Sequence, residues 1–100
     1  MIRHLTKEEF DNEKKEYMLV DFYATWCGPC KMMASVLESV DSKNIIDIAK
    51  VNIDEERQLA IETGIEVIPT LLLYKEGKEI KRSSGFMSEQ ELIKWVSEDE

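Results

Sequence analysis

The sequence predicts an α/β domain in which a mixed sheet carries helices on both faces. Three observations lead there. Strand-like and helix-like segments alternate over the first two thirds of the chain, which favours parallel strands joined by helical crossovers. Two strand-like runs, Thr70 to Lys75 and Glu79 to Ser83, lie close enough to form an antiparallel hairpin. The run Tyr17 to Tyr23 is apolar at nearly every position, as a central strand covered on both sides requires.

The elements follow in the order βαβαβαββα. A short strand around Ile2 to Leu5 leads to Thr6-Lys7-Glu8-Glu9, a capping-box pattern, so a helix is expected from Lys7 to about Lys15. After the strand Tyr17 to Tyr23, the residues Cys30, Met33, Ala34, Leu37 and Val40 recur at helical spacing and place a helix from near Gly28 to Val40. Ile45 to Ile53 alternates and is rich in β-branched residues, a strand pattern. Glu55 to Thr63 reads as a helix with Leu59 and Ile61 inward, closed by Gly64 at C′. Glu76-Gly77-Lys78 joins the hairpin strands, with Gly77 supplying the permissive turn conformation. Ser88-Glu89-Gln90-Glu91 is a second capping box, and the helix it opens turns Leu92, Ile93 and Val96 to the core. No repeat, linker or low-complexity stretch interrupts this order, so residues 1–100 are expected to form one domain.

Composition narrows the function. A chain of 100 residues and 11.6 kDa buries about 65% of the surface its unfolded form exposes, enough for one core without staples. The 13 basic and 21 acidic residues leave a net charge of -8, with a pI near 4.7. Such a surface repels phosphate backbones and anionic lipid, so neither nucleic acid nor membrane is expected as a partner. The first eight residues hold no apolar run behind a basic stretch, and no segment approaches the ~20 apolar residues of a membrane span. A cytoplasmic location is expected, where structural disulfides are rare and a close cysteine pair tends to be catalytic.

Both cysteines fall in Trp26-Cys27-Gly28-Pro29-Cys30-Lys31, at the junction of a strand and a helix. Residues three apart on a helix are near neighbours, so the pair can close or open with little movement. A free thiol with a pKa near 8.5 is only about 3% thiolate at pH 7. Cys27 at a helix start meets orphan N–H groups and the positive end of the helix dipole. The dipole supplies roughly 0.3 to 1 kcal/mol, whereas lowering the pKa by about 1.5 units takes about 2 kcal/mol. Hydrogen bonds from the Gly28 to Cys30 backbone must provide the rest. Cys27 then attacks a partner disulfide and Cys30 resolves the mixed disulfide. The spacing by itself also suits half of a zinc site or two packed cysteines. A zinc site needs four ligands, and beyond this pair the only other Cys or His is His4. No metal is therefore expected, and His4 reads as a solvent-facing or satisfied strand residue. Met32, Met33 and Trp95 read as packing, and Glu98-Asp99-Glu100 as a solvated end.

The segment from Val20 to Lys31 resembles the active-site segment of the thioredoxin family almost residue for residue. Lys50 to Asp54, Ile68-Pro69-Thr70-Leu71, Gly77 and Gly85 follow in that family's order and approximate spacing. The resemblance covers nearly the whole chain. It implies the thioredoxin fold, a central five-stranded mixed sheet of order 1-3-2-4-5 flanked by four helices. It implies a protein-disulfide reductase, a monomer with no bound cofactor beyond the redox-active pair Cys27 and Cys30. A thioredoxin reductase would recharge it, drawing on NADPH indirectly, and ribonucleotide reductase or peroxiredoxin are examples of its substrates. It makes Asp21, whose pKa should be raised within its apolar strand, the proton acceptor for Cys30, with Lys50 beside it. It makes the Ile68-Pro69 bond cis, with Ile68 offering backbone groups to a bound strand. Trp26, Gly28, Pro29 and Gly85, with Phe86, would complete an apolar docking surface.

Two competing functions remain at this point. One is a disulfide oxidase or isomerase, against which Gly-Pro between the cysteines speaks. The other is a binding module of this fold that docks partners without turnover. The chain also departs from the common family pattern at Tyr23, where tryptophan is usual, at Ser35, where many members carry a helix-kinking proline, and at Val67 and Phe86, where smaller residues are frequent. The Ser35→Pro change is expected to shift the reduction potential by only tens of millivolts, where ~30 mV corresponds to about 1.4 kcal/mol. A shift well above ~100 mV against a dithiothreitol or glutathione couple would contradict this.

Overall fold

Burial on both faces makes Met18–Tyr23 (β2) the middle strand, as its apolar sequence requires. The computed structural model describes residues 1–98; the acidic end expected at Asp99 and Glu100 lies outside them. The other strands are Arg3–His4 (β1), Asp47–Asn52 (β3), Thr70–Lys75 (β4) and Lys78–Ser84 (β5). They form one sheet in the order β1-β3-β2-β4-β5. Pairing is parallel on the β1-β3-β2 side and antiparallel on the β2-β4-β5 side. The helices are Lys7–Glu13 (α1), Gly28–Asp41 (α2), Arg57–Glu62 (α3) and Glu89–Ser97 (α4).

Strand alternation divides the core in two. Leu19, Ile48, Leu71 and Leu73 turn to one face and pack against Met33, Leu37 and Val40 of α2 and Leu92 and Val96 of α4. Val20, Phe22, Val51, Leu72 and Tyr74 turn to the other and meet Phe10 of α1 and Leu59 of α3. Both capping boxes form. The Thr6 and Ser88 hydroxyls accept from the N–H of Glu9 and Glu91, whose carboxylates accept in return from the cap N–H groups. The α3 helix ends in a Schellman motif. Gly64, at φ +70°, donates to the Ile61 carbonyl at 3.1 Å, and Ile65 donates to that of Ala60 at 2.9 Å.

Three expectations need correction. In α3 it is Leu59 and Ala60 that are buried, while Ile61 is 71% exposed. The helix has six residues, too short a stripe for spacing to choose between neighbouring faces. The hairpin turn is two residues, Glu76 and Gly77, because Lys78 already pairs with Lys75. Both turn residues have positive φ, 54° and 84°, the combination that matches the twist of the flanking strands. Met32 is exposed and only Met33 packs inward. Leu59→Ala is expected to lower stability by about 2–4 kcal/mol and Ile61→Ala to change it by less than about 0.5 kcal/mol, measured by urea denaturation.

Candidate active site

β2 ends at Tyr23 and α2 begins five residues later at Gly28. Cys27 is the N-cap of α2 in extended conformation, and Pro29 occupies its first turn, where the missing N–H is no loss. Cys27 and Cys30 are joined as a disulfide with Cα atoms 5.2 Å apart. The Cys30 backbone N–H points at Cys27 Sγ at 3.2 Å. The same N–H would stabilise a Cys27 thiolate after reduction, the local donor that the helix dipole alone could not replace. Cys27 is 6% exposed and Cys30 is 2% exposed. Cys27 is thus the slightly more accessible of the two, although both are buried. The Ile68 carbonyl lies 3.9 Å from its sulfur, and Ala24, Ile53 and Ile68 pack around the pair.

Asp21 stands in the middle of β2 with 0% exposure, and neither carboxylate oxygen has a hydrogen-bond partner. Its register neighbours are Lys50 on β3 and Leu71 on β4. Lys50 Nζ lies 4.0 Å from Asp21 Oδ2. Burial pushes the Asp21 pKa up to about 7, and the Lys50 charge acts in the opposite direction. A surface cavity of about 220 Å³ lies between Cys30 and Lys50, lined by these two with Tyr23, Ala24, Thr25, Lys31 and Ala34. It is roomy enough for water between Cys30 and the Lys50 side.

Across from the disulfide, the Ile68-Pro69 bond is cis and Pro69 is buried. The Gly85 N–H donates to the Pro69 carbonyl at 2.8 Å, which fixes these two loops to one another. Trp26 is 68% exposed, and Val67 and Phe86 are exposed as well. Gly28 and Pro29 are exposed, while Ile68 and Gly85 are partly so. The residues singled out in the sequence thus lie around the cysteine pair or, for Asp21 and Lys50, on the sheet row behind it. Among the described residues no group of three or more His, Cys, Asp and Glu is placed to hold a metal ion, and no helix is long and apolar enough to cross a membrane.

Sequence reasoning gave no role to Asp54, Tyr23 or His4. Asp54 accepts a 2.8 Å hydrogen bond from Trp26 Nε1, holding the exposed indole in place. Asn52 Oδ1 in turn accepts from the Asp54 N–H at 2.8 Å. An Asx turn was legible in Asn52-Ile53-Asp54, but not its reach to Trp26. Tyr23 OH lies 3.0 Å from His4 Nδ1, and Lys50 Nζ lies 4.3 Å from the centre of the Tyr23 ring.

The thioredoxin family model matches residues 1–98. A thioredoxin of Chlamydia muridarum is 39% identical over 99 residues, covering 97% of each chain. One of Bacillus subtilis is 40% identical over 95 residues, covering 92% of this chain and 91% of the other. The solved structure of a mutant thioredoxin from Halobacterium salinarum superposes with a TM-score of 0.90 at 30% identity, covering 97% of this chain and 88% of that one.

The Asp21 environment fixes a pH dependence of stability. Its folded pKa of about 7 stands above the value of 3.8 for a free side chain. Between those values the folded chain keeps a proton that the unfolded chain releases, so stability falls as pH rises from about 4 to 7 and levels off above. At about 1.4 kcal/mol per unit, the loss over these roughly three units is on the order of 4 kcal/mol. Asp21→Ala is expected to remove this slope, overtaking the parent at pH 8 in urea denaturation of the disulfide form. Equal slopes in both proteins would contradict the assignment.

Proposed function

The chain belongs to the thioredoxin family, and from that premise we propose how its residues divide the work of reducing a protein disulfide. As a member with a closed Cys27–Cys30 pair it is a thiol-disulfide oxidoreductase. In the reduced form the Cys27 thiolate attacks one sulfur of a partner disulfide. The partner's S–S bond breaks, its other sulfur leaves as a thiolate, and a mixed disulfide joins Cys27 to the partner. Cys30 then gives its proton to Asp21, through water in the cavity beside it, and its thiolate attacks Cys27 Sγ. The mixed disulfide breaks, the partner leaves reduced by two electrons, and the Cys27–Cys30 disulfide closes. A thioredoxin reductase returns two electrons, taken indirectly from NADPH, and no cofactor is held by the chain itself.

The observation that carries this reading is the Cys30 N–H aimed at Cys27 Sγ at a helix N-terminus. It favours a thiolate at Cys27 and not at Cys30, which sets attacker and resolver. Asp21, buried without a hydrogen-bond partner and with a pKa near 7, suits a base working at neutral pH. Lys50 keeps that carboxylate from becoming too weak an acid. The exposed ring of Trp26, with Gly28, Pro29, Gly85 and Phe86, suits an extended partner strand whose main chain pairs with the backbone of Ile68 beside the cis Pro69. We assign residues 1–100 to one such domain, acting as a monomer in the cytoplasm on disulfide-containing proteins of the ribonucleotide reductase or peroxiredoxin kind. Insulin reduction with NADPH and a thioredoxin reductase is expected to proceed in the parent and to fail in Cys27→Ser and Cys30→Ser. A partner should be trapped as a mixed disulfide by Cys30→Ser alone. Trapping by Cys27→Ser instead would reverse the roles.

A further inference from the structure

We propose that Tyr23 is a positioning residue whose ring holds the Lys50 ammonium against the Asp21 carboxylate, with His4 anchoring the ring through the tyrosine hydroxyl. This deepens the proposed function and takes its catalytic meaning from the reading that Asp21 accepts the Cys30 proton. The geometry is a chain of contacts along one row of the sheet. His4 on β1 is in register with Lys50 on β3, which is in register with Asp21 on β2. Tyr23 lies two residues beyond Asp21 on the same strand, and so on the same face. Lys50 Nζ sits 4.3 Å from the Tyr23 ring centre and 4.0 Å from Asp21 Oδ2. Tyr23 OH and His4 Nδ1 are 3.0 Å apart, and the two rings meet edge to face at 78° with centroids 5.9 Å apart.

A lysine left to itself in this position would swing its flexible stem into water, since hydration of the ammonium outweighs a distant carboxylate. Its side chain is instead only 11% exposed. A ring face toward a cation offers an attraction that survives partial desolvation, and a tyrosine pinned at its hydroxyl offers that face in one orientation. The titratable or charged groups on this face are Lys50 of β3, Tyr23 of β2, Cys30 of α2, Lys31 at the cavity wall, His4 of β1 one strand out and, two strands away on β5, Lys81, whose ammonium lies 4.6 Å from the Trp95 ring centre. The Asn52 side chain shares the Tyr23 hydroxyl with His4, and Glu55, in the segment after β3, acts on Tyr23 through its charge. Leu71 of β4, in register with Asp21, is apolar, as are Leu92 and Val96, which α4 buries against this face of the sheet. Lys50 is therefore the one cation paired with Asp21 among the described residues, and what fixes its position fixes the charge that Asp21 feels.

The test is an NMR titration of the Asp21 carboxyl in the disulfide form, where no thiol titrates beside it. A role in packing alone and a role in positioning have opposite signs. If Tyr23 merely fills space, Tyr23→Leu admits water around Asp21 and lowers its midpoint. If Tyr23 holds Lys50, Tyr23→Leu frees the ammonium and raises the midpoint, by up to about one pH unit. The rise should match that of Lys50→Met, and Tyr23→Leu should add no rise in the Lys50→Met background. Tyr23→Phe keeps the ring face and is expected to show less than half the rise of Tyr23→Leu. A fall or no change in Tyr23→Leu, an equal rise in the Lys50→Met background, or a Tyr23→Phe shift as large as that of Tyr23→Leu overturns the proposal. The rate at which Cys30 resolves a mixed disulfide is followed in the same variants. If the Asp21 midpoint rises while the pH profile of that rate stays fixed, positioning holds and the proton-acceptor reading fails.

Discussion

A carboxylate buried without a hydrogen-bond partner in the middle strand is the constraint around which the rest of the site is arranged. Such a group is tolerated only if it is neutral or faces a positive charge. At Asp21 both conditions are near balance: burial holds the acid form up to about pH 7, and Lys50 supplies the charge that keeps the anion within reach. The helix that starts at Cys27 packs on the same face of the sheet, through Met33, Leu37 and Val40. In the proposed mechanism the instability of Asp21 and the chemistry of the cysteine pair are coupled, since a base poised near neutral pH is what a resolving thiol requires.

The opposite side of the disulfide answers a different need. There the protein exposes apolar surface at Trp26, Val67 and Phe86, which a lone domain gains nothing by exposing. It also spends polar groups on holding that surface still. Asp54 grips the indole, Asn52 grips the Asp54 backbone, and the Gly85 N–H ties its loop to Pro69. On the proposed function, an apolar platform beside a low-exposure sulfur would limit attack to partners whose disulfide is brought up by docking.

Local signals made much of this legible. The apolar run of β2, the β4 strand at Thr70 to Lys75, both capping boxes and the Gly64 helix stop depend on residues a few positions apart, and each formed where the sequence put it. What stayed hidden depends on distant partners or on too few residues. Six residues of α3 could not choose between Ala60 and Ile61. The low exposure of Cys27 comes from the Ile68 loop, 41 positions away. The row His4, Lys50, Asp21 exists only once the β1-β3-β2 register is set, so the departure at Tyr23 was legible while the hydroxyl contact and cation-facing ring it brings were not.

The most direct measurement of the central claim is the stopped-flow rate at which Cys30 resolves a mixed disulfide on Cys27, followed from pH 6 to 9 in the parent and in Asp21→Asn. The buried base predicts a parent rate that falls below about pH 7 as Asp21 takes up its proton. In Asp21→Asn the rate should be lower by at least about tenfold near pH 7 and climb only toward the ordinary thiol pKa of about 8.5. Superimposable profiles for the two proteins would contradict the account.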